Sequence, residues 1–250
     1  MWALPGLHRQ TLSEVGFAPT IGVMTELIVI RHGETDWNRE HRFQGQIDVP
    51  LNATGLAQAQ RLAQRMVDEP IDLIVCSDLR RTRETADAVA DLHGRAPRLL
   101  PLPEALWREQ SFGVLEGLDV PTIQREHAAL WQRWIRHDAD YTLPGGGESN
   151  QTFHARVMRA LKQLVERHAG QRIMVVSHGG VLDMLWRTVQ GQALSGPREC
   201  EIPNTGINRL RWTTPGAQAG GLQILRWAEA DHLAGLPPQP STAQIRHEGP

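Results

Sequence analysis

Cysteine is scarce in this chain: Cys76 and Cys200 are the only two in 250 residues. Two cysteines without CxxC spacing support neither a disulfide framework nor a cysteine-built zinc site, so a reduced, cytoplasmic setting is the simplest reading. Net charge is also nearly absent. Lys and Arg total 26 against 28 Asp and Glu, a formal charge of -2. No global basic field draws the chain to nucleic acid or to an anionic membrane, although a local cationic pocket stays open. Long apolar runs are missing too, none nearing the roughly 18 residues that a membrane span requires.

What is present fits a globular protein. A hydrophobic fraction of 40% with 22% charged residues excludes a disordered chain, and the length suits one domain with a substantial core. Residues 1–23 lack the basic start and apolar block of a secretory signal, with Arg9, Gln10 and Glu14 interrupting the greasy stretches. Met24 stands directly before a strand-like run, so residues 1–23 are predicted to be a loosely attached extension, with an alternative translation start at Met24 as one reading. The compact domain is expected over 24–232 and a tail over 233–250.

Three short apolar runs read as buried strands: Leu27 to Ile30, Leu73 to Cys76 and Ile173 to Val176. Helical periodicity follows each of them. Thr54 is the expected cap of a helix whose apolar face carries Leu56, Ala59, Leu62, Ala63 and Met66. A second helix runs from Arg81 to a stop at His93-Gly94. A tryptophan-rich amphipathic stretch spans Val120 to His137, and helical spacing returns over Ser149 to His168 and Val181 to Val189. Ile207 to Trp212 and Leu222 to Trp227 are expected as edge or near-edge strands. The alternation predicts a three-layer α/β/α sandwich with a mostly parallel central sheet and a helical insertion.

Arg31-His32, Arg81 and His178 fall just after predicted strands or at the start of the following helix. Carboxyl ends of parallel strands converge on one crevice even when they are distant in sequence. Arginine offers a rigid, permanently charged fork for phosphate, and a neutral imidazole offers a nitrogen nucleophile. Each residue alone also has a bland reading: a strand-end histidine, a backbone-bonded histidine in a Gly-rich turn, or a structural ion pair.

Together the motifs resemble the histidine phosphatase superfamily, which includes the cofactor-dependent phosphoglycerate mutases. Leu27-Ile28-Val29-Ile30-Arg31-His32-Gly33-Glu34-Thr35 resembles its opening motif, continued by Trp37-Asn38, Arg42-Phe43-Gln44-Gly45 and Asp48-Val49-Pro50-Leu51-Asn52. Ser77-Asp78-Leu79-Arg80-Arg81-Thr82, then Glu109 through Gly117, then Ser177-His178-Gly179-Gly180 follow in the family's order. The resemblance implies that His32 accepts the phosphoryl group while Arg31, Arg81 and His178 bind it, His32 neutral and His178 protonated. It further implies Glu109 as proton donor to the leaving oxygen, and Asn38, Gln44 and Gly45 as a substrate-side loop for which simple loop capping is the competing role.

No metal or cofactor is needed in this reading, and the expected partner is a small phosphorylated molecule, with neither nucleic acid nor membrane involved. The resemblance also raises self-association as a homodimer. Arg80-Arg81-Thr82-Arg83 is broken by Glu84 and reads as a solvated helix face. Gly145-Gly146-Gly147 lacks the Lys-Ser/Thr of a P-loop. Trp107, Trp131, Trp134 and Trp186 read as core or pocket wall rather than as a base-stacking platform. Leu143 to Ser149 resembles the phosphatase-type branches and the longer insertion of the glycolytic mutases is not apparent, so a phosphomonoesterase is expected. A phosphoglycerate mutase and a catalytically silent phosphate-binding protein are the alternatives.

Overall fold

The computed structural model describes residues 22–94, 97–214 and 220–240. The expectation for residues 1–23 therefore lies almost wholly outside the described chain, as does that for the end of the tail. One six-stranded sheet organises the rest, in the order β3-β2-β4-β1-β5-β6. Its strands are β1 (Met24–Arg31), β2 (Leu73–Cys76), β3 (Leu102–Pro103), β4 (Arg172–Ser177), β5 (Ile207–Thr213) and β6 (Gly221–Glu229). The first four in that order pair in parallel, whereas β5 pairs antiparallel with β1 and β6 antiparallel with β5.

Period-two alternation explains the layers. On β1, Leu27 and Val29 face one way and Ile28 and Ile30 the other. Leu27 and Val29 pack with α6 (Asn150–Arg167) and α7 (Gly179–Gln190), while Ile28 and Ile30 pack with α2 (Ala53–Met66) and α3 (Arg80–Leu92). The chain is the expected three-layer sandwich. A short helix α1 (Asp36–Arg39) leads into the loop before α2, and α4 (Val120–Glu126) with α5 (Ala128–Trp134) forms the insertion. The insertion has a small core of its own, built on Phe43, Leu115, Ile123, Trp131 and Leu143.

Several local expectations are corrected. Asn52, not Thr54, caps α2, its side chain accepting from the Gly55 amide, a contact worth about 1 kcal/mol. Leu56 is 52% exposed and lies off the apolar face. The Val120–His137 pattern is two helices, because His127 leaves helical geometry at φ -129° between them. Helix α7 begins at Gly179, two residues before the expected start, so His178 is its N-cap. Strand β3 was not expected: two residues carry no readable periodicity.

Candidate active site

Strand register brings the first three groups together. Arg31 at the end of β1 pairs with Ser177 at the end of β4, so His32 and His178 leave the sheet side by side. The His32 amide donates to the Ser177 carbonyl at 2.9 Å, and the two imidazole centroids stand 5.2 Å apart, edge to face. Arg81 arrives from β2 through the first turn of α3. Glu109 follows a 3-10 turn over Ala105–Trp107 beyond β3.

His32 Nδ1 sits 2.7 Å from the Gly33 carbonyl. A carbonyl only accepts, so Nδ1 carries the proton and Nε2 of the neutral ring keeps its lone pair. Burial, followed by Arg81 and Arg31, pushes the His32 pKa well below the ordinary histidine value. Burial also depresses His178, aided by Arg81 and His32. Burial thus favours the neutral form of both rings, and a phosphate beside them would favour protonation of His178.

Arg31 and Arg81 are buried, and burial lowers each to about 10, so both remain cationic at neutral pH. Arg31 Nη1 donates to the Ile202 carbonyl at 2.8 Å, and Arg81 gives Nη1 to Ile47 and Nη2 to Gly45, each at 2.8 Å. Their Nε atoms have no partner, and neither do Nδ1 and Nε2 of His178. Four buried, unpartnered nitrogens on three neighbouring residues are costly, at about 1–3 kcal/mol each. They mark where a ligand rich in acceptor oxygens belongs.

Glu109 is oriented from two sides. Its Oε2 accepts from the Gly180 amide at 3.0 Å and its Oε1 from the Gln110 amide at 2.9 Å. Gly180 must lack a side chain, since a Cβ there would collide with Glu109 Oε1. The backbone around Glu109 is gripped by Arg156 on α6, which donates to the carbonyls of Leu106, Arg108 and Glu109 at 2.8–3.0 Å. Glu148 in turn holds that guanidinium through two bonds of 2.6 and 2.8 Å.

Asn38, Gln44 and Gly45 line the same cleft as Arg31, His32, Arg81 and Glu109, a cavity of about 170 Å³ that opens to solvent. Asn38 caps as well as lines: its Oδ1 accepts from the Thr35 amide at 3.0 Å. Thr35 Oγ1 donates toward Gln44 Oε1 at 3.0 Å. Both amide oxygens are occupied, which leaves the NH₂ ends for a ligand. Gly45 offers its carbonyl to Arg81 and adopts φ +50°, where a side chain would run into Glu116. Trp37, Phe43, Phe112 and Trp134 form an aromatic wall of the same cleft, Phe43 meeting Phe112 and Trp134 edge to face.

Comparison with known proteins places the chain in a family. Residues 27–226 match the histidine phosphatase superfamily, branch 1. The chain belongs to that superfamily. Among its relatives, phosphoglycerate mutase-like protein 4 of Arabidopsis thaliana is 35% identical over 216 residues, covering 83% of this chain and 86% of its own. The metal-independent phosphoserine phosphatase of the same plant is 35% identical over 219 residues, 85% of each chain. The solved structure of Bacillus stearothermophilus YhfR superposes with a TM-score of 0.74 at 27% identity, over 84% of this chain and 99% of that one.

All the candidate site residues except His178 thus line one cleft, and His178 is buried with its ring 5.2 Å from that of His32. Sequence reasoning missed the Arg156–Glu148 clamp, because an arginine on a helix surface carries no signal of what it reaches. It also missed Asn204, buried at the rim, whose Nδ2 donates to the His32 carbonyl at 2.8 Å. Pro203-Asn204-Thr205-Gly206 reads only as a turn. Arg198 was missed as well; its Nη1 lies 3.3 Å from where a Gly179 side chain would stand, with Arg31 Nε 3.6 Å from the same point. Of the two cysteines, burial raises each to about 12, which leaves them outside any thiolate chemistry.

Proposed function

We propose that the chain is a phosphomonoesterase that transfers the phosphoryl group of a small phosphorylated metabolite to His32 and then to water, without a metal. The observation that carries this reading is the set of unpartnered buried nitrogens on Arg31, Arg81 and His178, facing a His32 ring whose Nε2 is free and neutral. His32 Nε2 attacks phosphorus in line, and the bond from phosphorus to the alkoxy oxygen breaks as Glu109 delivers a proton to that oxygen. A water then attacks the phosphohistidine, gives its proton to Glu109, and inorganic phosphate leaves with His32 restored.

The arginines supply the compensating charge that a divalent cation supplies elsewhere. Among the described residues no group of His, Cys, Asp and Glu is arranged to hold a metal, which bears on binding sites and not on the reaction itself. Asn38, Gln44 and the aromatic wall meet the organic part of the substrate. Hydrolysis is favoured over phosphoryl migration because the cleft is open to solvent, whereas a mutase must keep water from its intermediate. A phosphoserine phosphatase among the relatives supports the same direction. The test is a panel of phosphate esters assayed in excess chelator, with released phosphate and migration within 3-phosphoglycerate measured separately. Release exceeding migration is expected; migration far above release would establish a mutase, and no turnover of any ester would leave a silent binding protein.

A further inference from the structure

The chain beyond β6 returns to the site. After a 3-10 turn at Asp231–Leu233, residues 234–240 run back across the sheet end, and Pro240 lines the same cleft as His32 and Glu109. Gln239 is fastened there by two bonds. Its Oε1 accepts from the Asn204 amide at 2.6 Å, and its Nε2 donates to the Asn204 carbonyl at 3.1 Å. Asn204 is 2% exposed, and Gln239 satisfies both of its backbone polar groups.

The other side of the same loop grips the nucleophile. Asn204 Nδ2 donates to the His32 carbonyl, and the Thr205 amide donates to the Arg31 carbonyl at 2.9 Å. Thr205 holds φ +54°, an uncommon conformation for a residue other than glycine. Such a turn persists when its surroundings over-determine it, and here the loop is bonded to the nucleophile's backbone on one side and to the C-terminal segment on the other. His232 also lies against the Thr205 backbone.

We infer that the C-terminal segment is a working part of the active site: Gln239 is a positioning residue that sets His32 through Asn204, and Pro240 is a specificity wall for the substrate's organic group. This rests on the phosphohistidine reading above. A 1 Å error in the placement of a nucleophile is enough to slow an in-line transfer by about two orders of magnitude. Gln239 touches no substrate; its influence runs entirely through the loop.

The experiment uses the full-length chain with Gln239→Ala, Gln239→Glu and Pro240→Gly, an aryl phosphate and a short alkyl phosphate as substrates, and thermal midpoints alongside. Gln239→Ala is expected to slow His32 phosphorylation in a rapid quench on the order of tenfold, with KM for the aryl ester nearly constant and the midpoint within a few degrees. Gln239→Glu keeps the acceptor for the Asn204 amide but sets a second acceptor oxygen against the Asn204 carbonyl, so it is expected to recover part of the rate, relative to the parent, only as acid protonates that carboxyl into a donor. Pro240→Gly is expected to shift the aryl-to-alkyl ratio of kcat/KM. An unchanged rate in Gln239→Ala overturns the positioning role, and so does a loss that tracks a collapsed midpoint with no recovery in Gln239→Glu. An unchanged ratio in Pro240→Gly overturns the wall. If instead His32→Ala retains turnover, it is the phosphohistidine reading that fails, whatever Gln239 does.

Discussion

At the scale of single residues, the site is built around what its groups lack. His32 is bonded at one ring nitrogen only, His178 at neither, and Arg31 and Arg81 each withhold an Nε. A fully satisfied cradle would be more stable and would bind nothing. Glu109 is the opposite case, its two carboxylate oxygens each held by a backbone amide. Gly180→Ala places a methyl group where the Glu109 carboxylate stands. The expected outcome is a loss in kcat of about 10²-fold, the range for a misplaced proton-transfer group. KM and the thermal midpoint should change little. A pre-steady-state assay checks the origin, since both the alcohol-release and the hydrolysis steps should slow; an unaltered kcat would mean that Glu109 is not the proton-transfer group.

At the scale of elements, the parallel strands β1, β2 and β4 and the helices after them were legible because each announces itself twice. A short β-branched run ends in polar residues, and a helical period follows. The same redundancy made Arg31, His32, Arg81 and His178 readable as strand-end groups. The helix cap was misread because Asn52 and Thr54 are both good capping residues two positions apart, and only the path of the chain decides between them. Arg156 was not legible at all. On α6 it occupies a position whose period says half-buried, yet it reaches across to three carbonyls that fix the segment bearing Glu109. Its partner Glu148 directly follows the Pro144-Gly145-Gly146-Gly147 turn, so a motif that reads as a loop leads into an anchor. Arg156→Ala leaves a mostly buried carboxylate without its partner, side-chain exposures being 13% and 20%. A destabilisation of about 3 kcal/mol is expected, read by denaturant titration. Glu148→Gln, which keeps the shape and one acceptor, should cost less and should still lower kcat.

For the whole molecule, pH dependence follows from the two buried imidazoles. The folded-state pKa values of His32 and His178 lie well below the 6.5 expected of an unfolded chain. Below that pH the unfolded chain takes up protons that the folded chain refuses, so stability is complete above about 6.5 and falls as the solution is acidified. His154 and His232 are shifted the same way by burial and add to the trend. The carboxylates held low by arginine, Glu69 and Asp78, act only at lower pH, as they begin to protonate. The thermal midpoint is therefore predicted to drop between pH 7 and pH 5, and to drop less steeply in His178→Asn. Inorganic phosphate or vanadate should raise the midpoint most at the acidic end, because an anion in the cleft favours the protonated His178 ring. A midpoint that rises on acidification would contradict the buried neutral pair.

The central claim is that the His32 imidazole carries the phosphoryl group, and trapping it is the most direct test. The enzyme is mixed with an aryl phosphate, quenched in alkali within milliseconds, digested and examined by mass spectrometry. The account predicts a phosphorylated peptide containing residue 32, formed and consumed at rates consistent with turnover, and absent from His32→Ala, which is inactive. Turnover that survives in His32→Ala, or a phosphoryl group found on another side chain, would contradict it.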